Sequence, residues 1–278
     1  MHSATTHTTP RHLVVLNVLA ALLLAIIAVL PMVWLAGVAV SDATVAVNRL
    51  PTPAQMTTTN FSGAWQAGGL LRPFINSLIV TCIHALLNVF LAAAAAFPLA
   101  RTRFRGRDTV FVIILATLMI PEQVILVPLF RTVVKMNLYD TLAGVVIPFA
   151  VSGFGIYLCR QAMRSIPREM DEAAAIDGAS SWQVFRHVML PLTAPTLATL
   201  GVFSVIASWS NLLWPLVVLQ SSSNYTLPVA LDQLLGMFSA NIRFAYAGSV
   251  LAVIPMIAIY LLMQRWLERG LLAGAVKG

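Results

Sequence analysis

Six apolar runs divide the chain. Leu13 to Val40, Pro73 to Ala100, Leu142 to Cys159 and Phe244 to Gln264 contain no Asp, Glu, Lys or Arg. Val110 to Phe130 carries one acid, Glu122, between Pro121 and Pro128. Val188 to Leu231 is charge-free but too long for one span, and the polar cluster Ser221, Ser222, Ser223, Asn224 ends the fifth near Gln220. A helix needs about 20 apolar residues to cross a bilayer. It also satisfies its own backbone polar groups in lipid. The pattern therefore predicts an all-α integral membrane protein with six transmembrane helices. The division is a tail over 1–12, a six-span domain over 13–266 and a tail over 267–278. The first run is too long for a signal-peptide core and lacks a small-x-small cleavage site, so it reads as an uncleaved span kinked at Pro31.

Composition agrees. Of 278 residues, 59% are hydrophobic and 10% charged, with a mean hydropathy of +0.86. Soluble domains carry roughly a quarter charged residues. A soluble enzyme, a disordered chain and a disulfide scaffold are excluded. Cys82 and Cys159 sit in apolar runs with no metal-site or disulfide spacing. The net charge of +7 reads as topology rather than as a nucleic-acid site. With six spans, twelve of the 17 basic residues fall on the side of the two termini, Arg101, Arg103, Arg105 and Arg107 foremost. Basic loops are retained inside, so both termini are expected in the cytoplasm. The first external loop, about Ser41 to Arg72, reads as a connector or as a partner contact.

The segment between the fourth and fifth runs is longer than a connector needs. It holds Glu169, Asp171, Glu172 and Asp177, four of the ten acids. Ser165 to Gly178 reads as a helix with Pro167 in its first turn and early acids at the positive end of the dipole. Ala173, Ala174 and Ala175 favour helix, and Gly178 suits the left-handed C′ position. Ser180 and Gln183 form a capping-box pattern that restarts a helix. Trp182, Phe185, Val188 and Met189 then share a face, and Pro191 ends it. This helix–turn–helix, residues 165–191, suits a groove on another protein. A helix lying on the membrane is the competing reading, and four acids disfavour it at an anionic surface.

Glu172-Ala173-Ala174, then Gly178, Val188 and Leu190-Pro191, resembles the EAA motif of ABC-importer permeases at each anchor. Met119-Ile-Pro-Glu-Gln-Val, Leu138-Tyr-Asp-Thr-Leu142, Ile147-Pro148, Asn76-Ser77 and Gly274 to Gly278 are similar to the carbohydrate-uptake, MalG-like branch. The resemblance implies a cytoplasmic coupling element between spans 4 and 5, carried by Glu172, Ala173, Ala174, Asp177, Gly178, Trp182, Phe185, Val188, Leu190 and Pro191. It also implies a MalF-like second permease, two cytoplasmic ATPase subunits and an extracytoplasmic solute-binding protein. The solute is a sugar or a related compound. ATP and Mg belong to the ATPases: this chain has no Gly-x4-Gly-Lys-Ser/Thr loop and is expected to bind no cofactor or metal and to be no enzyme. The branch commonly has Trp-Asn-acidic-aromatic in its fifth span, where this chain has Trp209-Ser210-Asn211-Leu212.

Polar or aromatic residues within runs are candidates for the substrate path: Asn76, Glu122, Trp209, Asn211 and Gln220. Glu122 is a candidate as an ionisable group within a span, or is held structurally beside Pro121. His84 reads as an interhelical hydrogen bond or a ligand, Asn88 and Ala92 to Ala96 as close helix packing. Two other classes compete with the importer permease. An ion-driven secondary transporter would show repeats and paired intramembrane charges. A membrane scaffold would explain the docking segment but not the motif spacing.

Overall fold

The computed structural model describes residues 11–66, 69–237 and 242–275. The ends of both expected tails, 1–10 and 276–278, lie outside the described residues, as does the last part of the Gly274–Gly278 resemblance. Among the described residues the secondary structure is helical, with one isolated bridge between Ser41 and Met56.

Among the described residues three helices are long and apolar enough to cross a membrane: α1 (Arg11–Ala39), α3 (Leu71–Arg101) and α14 (Ile242–Ala275). Three further pairs qualify only when a bend is counted inside them. α4 (Arg107–Thr117) and α5 (Glu122–Lys135) meet at 101°. α6 (Leu142–Val146), extended by a 3₁₀ turn to Phe149, meets α7 (Gly153–Ser165) at 45°. Ser181–Leu192 meets α11 (Ala194–Trp209) at 75°. The helix through Pro31 is continuous. The fifth run is redrawn: its first residues, Val188 to Leu192, belong to the preceding arm. The chain turns at Thr193, whose hydroxyl donates to the Met189 carbonyl at 2.6 Å. After α11 come α12 (Leu213–Val218) and an apolar helix α13 (Leu227–Met237).

The chain forms two compact units, 1–68 with 234–251 and 69–233 with 252–278. In the first, α1 is apolar on all sides and exposed along Val15 to Val33, which suits lipid or another subunit. Its C-terminal end is tied down by polar groups. The Asn60 amide, on α2 (Thr59–Gln66), donates to the carbonyls of Ala39 at 2.9 Å and Ser41 at 2.8 Å. Arg243 donates to the Ser41 hydroxyl at 3.1 Å and to the Val45 carbonyl.

In the second unit α3 is the central post, packed by α7 and α11. Its buried stripe is Ala92, Ala93, Ala96 and Ala100. Small residues let helix backbones approach, which is how helices associate where lipid removes the hydrophobic drive. The approach is tight at Gly155, where a Cβ would stand 3.0 Å from the Ala92 Cβ and 3.2 Å from the Asn88 Oδ1.

Hydrogen bonds sort the connectors into two groups. The α3–α4 turn bonds to the segment after α7: Arg101 donates to the Ile166 carbonyl at 2.8 Å and pairs with Asp171 at 3.3 Å. Arg160 also pairs with Asp108 at 3.2 Å while lying 3.8 Å over the Phe111 ring. At the other group, the α5–α6 turn bonds to the loop after α12. The Asp140 carboxylate accepts the backbone N–H groups of Gln220 at 2.9 Å and Ser221 at 3.0 Å, and the Ser221 hydroxyl. Those hydroxyl and amide bonds hold its carboxyl at about 2, below the ordinary 3.8. Arg72 and Asn76 at the start of α3 reach the same loop through the Ser223 carbonyl. The connectors expected on one membrane side thus bond to each other.

Candidate coupling element and bundle cavity

Residues 169–192 form two short arms. α8 (Glu169–Ile176) begins two residues after Pro167, not with it. Ile166, the residue before the proline, is extended at ψ 133°, and that excludes it from the helical turn. Glu169, Asp171 and Glu172 do occupy the first turn. Gly178 stands at φ +77°, open to left-handed backbone without strain. The Ala179 N–H bonds the Ala174 carbonyl at 2.9 Å and the Gly178 N–H bonds that of Ala175 at 3.1 Å. This is the Schellman pairing that closes a helix on glycine. Two residues later Ser180 accepts from the Gln183 N–H at 3.3 Å, and the Gln183 side chain accepts from the Ser180 N–H at 2.7 Å. The capping box starts α9 (Ser181–Val184).

The second arm departs from a simple amphipathic helix. Phe185–Met189 form a π turn, with the Leu190 N–H bonding back to the Phe185 carbonyl. The helix passes through Pro191 and ends at Leu192, in α10 (Leu190–Leu192), rather than stopping at the proline. The wider turn absorbs the N–H that proline lacks. Phe185 and Met189 are buried, and Phe185 packs on Phe97 with ring centroids 5.3 Å apart. The expected face is kept, with Trp182 at its exposed edge, its ring 5.3 Å from that of Phe185. Phe185, Met189, Val188, Leu190, Ala174 and Ala179 face the bundle core. Glu172, Ala173, Asp177 and Gly178 are exposed, as are Met170, Ile176 and Trp182, and Ile176 is 87% exposed. Arg101 fixes the near side through Asp171.

The second feature is a cavity of about 690 Å³ inside the second unit. It lies where the helices break. Thr117, Leu118, Ile120 and Glu122 line it from the α4–α5 bend, and Phe149, Ser152 and Gly153 from the α6–α7 bend. Ser208 and Asn211 line it from the α11–α12 break, His84 and Asn88 from α3. Non-helical backbone at membrane depth is tolerated where protein buries it or a wet cavity receives it. Asn88 serves packing, as read: its amide donates to the Ser204 hydroxyl at 2.8 Å and its carbonyl accepts the Ser152 N–H at 2.8 Å. Two buried polar atoms at the wall, Glu122 Oε1 and His84 Nδ1, have no hydrogen-bond partner among the described residues.

Of the five substrate-path candidates, the structure brings Glu122 and Asn211 together at this cavity. It separates the other three. Asn76 is buried against the Ser223 and Tyr225 carbonyls. Trp209 is buried, donates to the Ala252 carbonyl at 3.2 Å and stacks edge-on with Phe74. Gln220 accepts from the Tyr139 hydroxyl in the loop cluster around Asp140. The cavity residues that sequence reasoning passed over are Ser152, Ser204, Ser208, Phe149, Phe154 and Phe203. Nothing in their local pattern marks them; the breaks that gather them do.

Comparison with known proteins sets this geometry in a family. Residues 88–273 match the family described as binding-protein-dependent transport system inner membrane component. The arabinooligosaccharides transport system permease protein AraQ of Bacillus subtilis (strain 168) is 34% identical over 235 residues, 84% of each chain. The sn-glycerol-3-phosphate transport system permease protein UgpE of Rhizobium meliloti (strain 1021) is 32% identical over 262 residues, 90% of this chain and 93% of that protein. In fold, the chain is similar to a crystal structure of a bacterial ABC transporter involved in the import of the acidic polysaccharide alginate. The TM-score is 0.81 at 22% identity, covering 95% of this chain and 99% of that one. Neither the ion-driven transporter nor the scaffold accounts for these matches. The chain belongs to the binding-protein-dependent transport system inner membrane components, the permease subunits of ABC importers.

Proposed function

We propose that this chain forms half of the translocation pathway of an importer for a sugar or related solute, and that residues 165–191 couple it to an ATPase. The exposed outer face of α8, held by Arg101 on one side and by the buried Phe185 arm on the other, carries the reading. A small, smooth helix with an apolar tip suits a groove on a soluble partner. Its two anchors turn a pull on that face into a displacement of α3 and α11. The proposed assembly has a second permease, two cytoplasmic ATPases that hold ATP and Mg, and an extracytoplasmic solute-binding protein. The chain crosses the membrane six times. The end with Arg101–Arg107 and the coupling element is cytoplasmic, as are both termini, because basic loops stay inside. Relatives named for arabinooligosaccharides and for melibiose, raffinose and stachyose support a carbohydrate.

The test is the double variant Glu172→Ala, Gly178→Pro in the assembled transporter. Uptake of the solute captured by the binding protein should be abolished while the two permeases still co-purify. Wild-type uptake by an assembled double variant overturns the coupling assignment.

A further inference from the structure

We propose that the cavity at the three helix breaks holds the solute in transit, and that Glu122 screens it by charge. The solute accepted there is an uncharged or amino-bearing glycan or polyol, not an anionic one. This rests on the carbohydrate reading and narrows it.

The break between α4 and α5, that between α6 and α7 and that between α11 and α12 converge on one cavity, which the turn at Thr193 does not line. Discontinuous helices near the bilayer midplane commonly frame transported solutes, because unwound backbone offers polar groups there. The space of about 690 Å³ admits a small oligosaccharide. The lining is mixed as a sugar site requires. Phe149, Phe154 and Phe203 offer apolar faces, while Ser208 and Asn211 offer hydroxyl and amide groups.

The charge in the wall is one-sided. Glu122 is the acid lining it, and no Arg or Lys lines it among the described residues. Among the described residues Glu122 Oε1 is buried and unpartnered, and so is Nδ1 of His84, which also lines the cavity. A buried acceptor without a donor costs free energy, which a solute hydroxyl or ammonium would recover. A carboxylate or phosphate brought beside Glu122 would instead face like charge with no cation in this wall, in a setting that screens poorly. The chain therefore differs in expected cargo from relatives named for sn-glycerol-3-phosphate, although its sequence is about as similar to them.

Thiol labelling reads this directly. In the full transporter, with Cys82→Ala and Cys159→Ala, a Ser208→Cys variant is treated in membrane vesicles with two methanethiosulfonate reagents. One carries trimethylammonium, the other sulfonate. Relative to a free thiol, the cationic reagent should react about tenfold faster than the anionic one, and Glu122→Gln should remove that preference. Thr117→Cys, at another break, repeats the measurement if Ser208→Cys fails to assemble. Leu86→Cys, exposed and outside the cavity, should show no dependence on Glu122. An equal preference with and without Glu122 overturns the proposal. So does uptake of digalacturonate by the wild-type transporter with its binding protein. If the preference holds but no neutral or amino oligosaccharide in a panel is taken up, the carbohydrate reading fails and the charge screen stands.

Discussion

The proposed coupling element and the cavity are built in opposite ways. The coupling element is local. Its first helix closes on Gly178, its second opens on Ser180, and each hydrogen bond that shapes the turn spans a few residues. The cavity is assembled from positions far apart in sequence, at His84, Glu122, Ser152 and Asn211. Its supports are equally distant, such as the Asn88 bonds to Ser152 and Ser204. A local device can be moved by a partner as a unit without dismantling the bundle. A cavity framed by breaks changes shape whenever the helices around it shift. A pull on the first can therefore be felt in the second.

The difference can be broken from the cavity side with the largest effect. Gly155→Leu places a side chain where a Cβ alone meets Ala92 and Ser152 at 3.0 Å. Overpacking of this kind costs about 1–3 kcal/mol. The variant should lower the thermal unfolding midpoint of the detergent-solubilised transporter and its solute uptake together. An unchanged midpoint would show that α3 and α7 separate more readily than their contact suggests.

A smaller effect is expected on the coupling side. Ser180→Ala removes the cap of α9, a loss of about 1 kcal/mol. Solute-stimulated ATP hydrolysis should fall several-fold, with the unfolding midpoint of the bundle close to wild type. Equal losses in both readouts would mean that the turn belongs to the bundle's cooperative core.

The smallest effect concerns the connector end opposite the coupling element. The Asp140 carboxyl is depressed to about 2 from its ordinary 3.8. A depressed carboxyl contributes stability that is present above its ordinary value and is lost as pH falls through its folded value. Hydrogen exchange of residues 219–225, corrected for intrinsic rates, should be flat from pH 7 to about 4 and rise only below it. Asp140→Asn should raise that exchange at neutral pH. Loss of protection already near pH 6 would assign the hold on this loop to a group other than Asp140.

Much of the fold was legible because its signals are local or periodic. Charge-free runs mark the apolar helices, and Pro121 with Glu122 marks the break between α4 and α5. Gly178 and the Ser180–Gln183 box spell out the turn without any tertiary contact. Legibility failed where burial depended on a distant helix. Periodicity places Phe185 beside Trp182, and their rings do lie 5.3 Å apart, but it could not show that Phe185 is buried against Phe97 while Trp182 stays exposed. It also failed for Asn76, Trp209 and Gln220, whose polar groups are taken by backbone carbonyls or loop partners.

The sequence by itself determined a helical membrane chain, its arrangement of charge and the helix–turn–helix with its caps. These follow from transfer of apolar residues out of water and from hydrogen bonds within one or two turns. Only the tertiary structure decided that three helix breaks meet, and that Glu122 and Asn211 share one space while Trp209 does not. Such convergence depends on how closely the alanine stripe of α3 lets α7 and α11 approach, and packing of that kind is a property of pairs of distant residues rather than of any one segment.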